Sequence, residues 1–189
     1  ACAPFRRLHL CDKNLEQIKP HTITATHNLL VDVCMAAKFE GQSISLHYPQ
    51  YDLKYPSSGS SFTMCTMLAR SFADIGDIVR GKDLYSGNKK ENKQRKKLEE
   101  NLNKIFEKIK GNNPKLTNLN DDQIREYWWE LNRETVWKAI TCDAQGFKYF
   151  RPTCSEEPLS QDKCRCANTD VPTYFDYVPQ YLRWFEEWA

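Results

Sequence analysis

Two stretches, Arg70-Ser71-Phe72-Ala73-Asp74-Ile75-Gly76-Asp77-Ile78-Val79-Arg80-Gly81-Lys82-Asp83-Leu84-Tyr85 and Pro172-Thr173-Tyr174-Phe175-Asp176-Tyr177-Val178-Pro179-Gln180-Tyr181-Leu182-Arg183-Trp184-Phe185-Glu186-Glu187-Trp188-Ala189, decide how this chain is read. In and just before the first, Cys65, Leu68, Phe72, Ile75 and Val79 recur at alternating spacings of three and four, the period of one helical face. Ser61 is the predicted cap of that helix and Gly81 its stop. In the second, Pro179 suits a first helical turn, and Leu182, Phe185, Trp188 and Ala189 stay in helical phase to the last residue with no Gly or Asn to cap them. The chain is therefore expected to be a piece of a longer protein.

Outward from these stretches the pattern stays helical. A helix is predicted from about Glu91 to Lys110, with Leu98, Leu102, Ile105, Phe106 and Ile109 on one stripe and Gly111-Asn112-Asn113-Pro114 as its end. Another begins after Asn120 with Ile124, Trp128, Leu131, Thr135 and Ala139 on one face, Tyr127 and Trp137 lying near its flank. Upstream, Leu29, Leu30, Val33 and Ala37 predict a helix over residues 23–38 that ends near Gly41, followed by a loop to Ser61. Residues 1–20 read as irregular, and 143–171 as a loop tied by cysteines. With no convincing strand, the expected fold is mainly α, a disulfide-linked helical bundle. All five tryptophans fall in the fourth and last of these helices, which are expected to pack together. Trp129, beside two others that cannot all face inward, is the candidate for an exposed aromatic ligand surface.

Eight cysteines, Cys2, Cys11, Cys34, Cys65, Cys142, Cys154, Cys164 and Cys166, form an even set that points to an oxidising compartment. A zinc site is disfavoured, because the Cys154, Cys164 and Cys166 cluster lacks paired C-x2-C spacing and has no histidine near it. Structural disulfides are expected for all eight. The connectivity stays open; local pairing is expected within Cys2, Cys11, Cys34 and Cys65 and within Cys142, Cys154, Cys164 and Cys166.

The two opening stretches, with Tyr127-Trp128-Trp129-Glu130-Leu131-Asn132-Arg133-Glu134, Cys164-Arg165-Cys166 and the start Ala1-Cys2-Ala3-Pro4-Phe5, resemble in order the Duffy-binding-like (DBL) domain, α class, of the Plasmodium falciparum erythrocyte membrane protein family. The resemblance implies the Duffy-binding-like fold, with an irregular N-terminal subdomain 1 over residues 1–59 and a helical subdomain 2 over 60–189, truncated before subdomain 3. It implies an extracellular adhesion module on the infected-erythrocyte surface. The implied partners are a host cell-surface receptor, in some members through rosetting or heparan-sulfate-type glycosaminoglycans, and antibodies. The alternative is a structural spacer with a variable antigenic surface that positions a neighbouring receptor-binding domain.

Enzyme chemistry is not expected. The chain has no Gly-x-Ser-x-Gly elbow, glycine-rich phosphate loop or His-Glu-x-x-His, and His9, His21, His27 and His47 lack metal-ligand spacing. The pair Asp74 and Asp77 reads as solvated surface, and a Cys34 thiol activated by His27 or His47 is disfavoured by the even cysteine count. No cofactor is expected. No apolar run approaches the ~20 residues of a membrane span, so no membrane contact is expected in this part of the protein.

Charge is more informative. Residues 80–110 hold eleven Lys or Arg against five acids, a balance of +6 in a chain whose net charge is +2, and residues 152–189 hold three against seven. Lys89, Lys90, Lys93, Arg95, Lys96, Lys97, Lys104 and Lys108 are the candidate receptor- or glycan-binding residues, acting by attraction that decays over ~8 Å at physiological salt. A basic start opposes the helix dipole and favours fraying there. Nucleic acid is disfavoured, because the run lacks interleaved aromatics.

Overall fold

The structure is a computed structural model that describes residues 2–54, 64–145, 154, 163–166 and 170–189. Seven α-helices are found among the described residues: α1 (Phe5–Leu8), α2 (Lys13–Glu16), α3 (Thr26–Lys54), α4 (Met64–Arg80), α5 (Lys89–Gly111), α6 (Asp121–Ile140) and α7 (Gln180–Trp188), with 3-10 turns at Pro114–Leu116 and Phe175–Tyr177. No strand element is found among these residues, and the mainly α, disulfide-linked bundle is the observed fold. Residues 1–20 are less irregular than expected, since α1 and α2 form single turns.

The centre of the bundle is α4, fifteen of whose seventeen residues are buried. It packs against α3, α6, α7 and the 3-10 turn before α7. The periodic residues Cys65, Leu68, Phe72, Ile75 and Val79 are all in the core, as expected, and Gly81 ends the helix in a left-handed turn at φ +73°. The expected cap at Ser61 and the subdomain division near residue 59 lie outside the described residues.

α3 runs through Gly41, where it was expected to end, and on through Pro49 in the expected loop. Gly41 is a crossing point, because a Cβ there would overlap the carbonyl oxygen of Ile140 on α6. Pro49 costs one helical hydrogen-bond donor on an exposed face, and the helix continues to Lys54. Gly76 on α4 serves the same purpose, since its missing side chain makes room for the indole of Trp129, whose Cζ2 lies 2.7 Å from the ideal Cβ position. α6 therefore seats against two helices through two glycine slots.

Those slots turn α6 away from its predicted face. Ile124 and Trp128 are buried as expected, but the buried side then passes to Trp129, Val136, Trp137 and Ile140, leaving Leu131 82% exposed and Thr135 on the surface. α6 makes no substantial contact with α7, correcting the expected association of the tryptophan helices. Trp129 and Trp137 instead flank Phe72 of α4, both at 5.1 Å between ring centroids, and Trp188 meets Phe5 at the surface. α4 stands between the two helices because its inward residues include the polar groups that α7 needs.

Two disulfides form, Cys65–Cys164 and Cys154–Cys166, while Cys2, Cys11, Cys34 and Cys142 make no disulfide in the structure. The expectation that all eight pair is thus corrected. Local pairing holds for Cys154–Cys166 and fails for Cys65–Cys164, which joins the start of α4 to a segment 99 residues away. That segment folds back over the end of α6, where the Cys164 carbonyl accepts from Trp137 Nε1 at 3.0 Å and Arg165 donates to the Lys138 carbonyl at 2.8 Å.

Candidate functional site

α5 begins at Lys89 with a full capping box. Asn88 accepts from the backbone of Lys90 and Glu91, and the Glu91 carboxylate returns to the Asn88 backbone at 2.8 Å. The cap outweighs the unfavourable basic first turn, so the expected fraying does not occur. Leu98, Leu102, Ile105 and Phe106 are buried. At 100° per residue, Lys90, Lys93, Lys97, Lys104 and Lys108 then fall within about 60° of arc on the opposite side, with Lys89 and Lys96 beside them.

The lysines are not equivalent. Lys89, Lys90, Lys93, Lys96, Lys97 and Lys104 are exposed and hold no ion-pair partner among the described residues. Arg95 lies on the other side of the helix, 2.6 Å from Asp12 and 3.3 Å from Glu16, stacked on Tyr85. Burial disfavours its charge, but hydrogen bonding and attraction from Asp12 outweigh that and hold its pKa above the ordinary value. It fastens α2 to α5 and is not available to a ligand. Lys108 donates to the carbonyls of Pro20 at 2.8 Å and Ile23 at 3.3 Å.

Trp129 is fully buried, which corrects its assignment to an exposed aromatic surface. Its indole N–H donates to Asp176 at 2.8 Å. Exposed apolar surface on α6 belongs to Tyr127 and Leu131. They border an open cleft of about 390 Å³ walled by Ile109, Leu116, Ile124 and Trp128. A second cleft, about 650 Å³, lies between α1, α3 and the end of α7, among Phe5, Arg6, His47, Tyr48 and Trp188. Two more clefts meet at Arg80 and Lys82, one beside Tyr177 and Tyr181, the other beside Glu126 and Glu130.

Asp74 and Asp77 are buried, not solvated, and form the centre of a charge network built from the two opening stretches. Arg183 donates to both, Arg6 meets Asp74 at 2.7 Å, and Arg80 meets Asp77 at 3.1 Å. Gln180 bridges Asp74 and Asp83, and Asp83 also pairs with Arg7. Asp176 holds a bidentate pair with Arg133, both contacts at 2.7 Å. Burial pushes the Asp74 carboxyl up, but Arg6 and Arg183 together outweigh it and its pKa is lowered. For Asp77 burial wins over Arg183 and Arg80, and the carboxyl is pushed up to about 6.

Every carboxylate of this network is matched by arginine, so its chemistry is cohesion between elements. The thiols are similarly quiet. Burial pushes Cys34 up to about 11, and burial with the nearby Glu40 does the same to Cys11, so neither is a thiolate at neutral pH. His47 is engaged with the Ser43 carbonyl. The described residues hold no cluster of metal-ligating side chains, and no helix among them is long and apolar enough to cross a membrane.

The fold recurs in known proteins. Residues 1–183 match the Duffy binding domain family. The chain belongs to that family. As a Duffy binding domain it is similar to the NTS-DBL1(α-1) domain of Plasmodium falciparum membrane protein 1 (PfEMP1) from the varO strain, with 40% identity and a TM-score of 0.79 over all of this chain and 43% of that one. It is similar also to an ICAM-1-binding PfEMP1 DBLβ domain, at 33% identity and a TM-score of 0.69, over 97% of this chain and 41% of that one. The Duffy receptor beta form of Plasmodium knowlesi is 25% identical over 194 residues, which span all of this Duffy binding domain and 14% of the receptor. The family expected from residues 70–85 and 172–189 is thereby established. None of the three proteins carries the name of an enzyme.

Proposed function

We propose that this Duffy binding domain is part of an extracellular adhesion module on the infected-erythrocyte surface, and that the lysine face of α5 binds sulfated glycosaminoglycan on host cells, including uninfected erythrocytes in rosettes. Residues 1–59 and 60–189 would be its first two subdomains. The observation that carries this reading is the separation of bases by role. Arg7, Arg80, Arg133 and Arg183 are spent on internal carboxylates, whereas six lysines of α5 are exposed and unmatched.

Such a surface concentrates polyanions by long-range attraction that salt weakens. The relatives' ligands, Duffy and ICAM-1 by their names, support receptor binding as the general role.

The test is heparin retention of the folded protein beside a variant with Lys90, Lys93, Lys97 and Lys104 changed to Ser. Loss of salt-sensitive retention with unchanged helical circular dichroism is expected. Weak retention of both proteins is the result a spacer would give, and it would overturn the glycan reading.

A further inference from the structure

We infer that the anion-binding surface of α5 is completed by Lys19 from the turn after α2, positioned by Lys108, and that it fits a linear, repeatedly charged polymer in preference to a compact anion; this rests on the lysine-face reading above.

The placement follows from three hydrogen bonds. Asn101 Nδ2 donates to the Ile18 carbonyl at 3.1 Å, and Lys108 Nζ donates to the carbonyls of Pro20 and Ile23. The residues on either side of Lys19 are thus pinned to positions 101 and 108 of α5. Lys19 is exposed and stands beside the stretch of helix that carries Lys104. Its backbone is further fixed, because the Lys19 carbonyl accepts from both the backbone N–H and the hydroxyl of Thr22, at 3.0 and 2.8 Å.

Lys108 therefore changes role. Its ammonium is directed at backbone carbonyls, which makes it a positioning residue for Lys19. Charge reaches the surface from a second element through a strap that sequence spacing cannot reveal, since Lys19 and Lys104 lie far apart in the chain.

The ligand class follows from shape. Lys90, Lys97 and Lys104 recur every seven residues and span about 21 Å along the helix at 1.5 Å per residue. None of the four clefts described above is lined by them. A compact anion on this convex surface meets one or two ammonium groups, whereas a polymer with repeated sulfates meets the whole row and releases a counterion for each contact, as polyelectrolytes do.

The test compares binding of heparin oligosaccharides of increasing length, and of a single sulfated disaccharide, as a function of salt. Affinity rising with length until the row is spanned is expected; a disaccharide that binds as tightly as the long chains would overturn the polymer assignment. Lys19→Ser should reduce the slope of log affinity against log salt by about one. Lys108→Met should do the same, and the double variant should lose no more than Lys19→Ser alone, because Lys108 acts through Lys19. Additive losses would make Lys108 a direct contact and overturn its positioning role. If Lys97→Ser and Lys104→Ser weaken binding while Lys19→Ser does not, the α5 reading survives and the Lys19 assignment falls. If none of these variants changes binding, both fall.

Discussion

The guanidinium of Arg183 donates to Asp74 at 2.7 Å and to Asp77 at 2.5 Å, joining α7 to two carboxylates three residues apart on α4. All three side chains are buried. α7 is consequently held by charge on its inner face, while Tyr181, Leu182, Phe185 and Trp188 remain exposed on its outer face. Removing one partner of such a pair leaves the others charged and desolvated. Arg183→Met should lower the free energy of unfolding by about 3–5 kcal/mol, read from urea denaturation. A loss below 1 kcal/mol would mean the network contributes little.

The two carboxylates should respond to pH in opposite senses. Asp74 is lowered in the folded state, so its contribution is present above the unfolded carboxylate range, near pH 3.9, and is lost as the pH falls further. Asp77 is raised to about 6, so its contribution is complete below about pH 4 and is lost as the pH rises through 6. The deficit of Asp74→Asn relative to the parent should shrink from pH 7 to pH 3, and that of Asp77→Asn should shrink from pH 4 to pH 7. Urea midpoints at four pH values separate the trends, and parallel trends would refute the assignment.

Glycine substitutions offer a packing test. An alanine at Gly41 or Gly76 drives a methyl into the Ile140 backbone or the Trp129 ring and should cost about 1–3 kcal/mol or more, because backbone and a buried indole cannot step aside. Gly111→Ala, where nothing lies within 4 Å of the added Cβ, should be neutral or stabilise α5 by up to about 1 kcal/mol. Thermal unfolding of the three variants checks the difference in sign.

Four thiols should react with an alkylating agent under denaturing, non-reducing conditions, and the mass of the labelled protein counts them. In the native state Cys2 and Cys142 should label ahead of Cys11 and Cys34, whose thiols are partly buried. Replacing Cys65 and Cys164 together with Ser should cost about 4–5 kcal/mol, against about 3 kcal/mol for Cys154 and Cys166, by the greater loop length closed.

The amino-acid sequence by itself determined the helical class, the stripes of α4 and the distal half of α5, the stop at Gly81 and the start of α6 after Asn120. These are local properties, in which side-chain period and capping residues act within one or two turns. Its ordered blocks also determined the family. The tertiary structure alone decided that Gly41 is a crossing point, that α6 turns Trp129 inward and Leu131 outward, and that Cys65 meets Cys164. It also decided the fate of each charge. Asp74 and Asp77 carry no local sign of burial beyond Arg80 beside Asp77, and Lys108 no sign of its strap, because their other partners, Arg6, Arg183, Pro20 and Ile23, lie 68 to 109 residues away along the chain. Whether a charge faces water or a partner is a property of that assembled surface, and no window of sequence contains it.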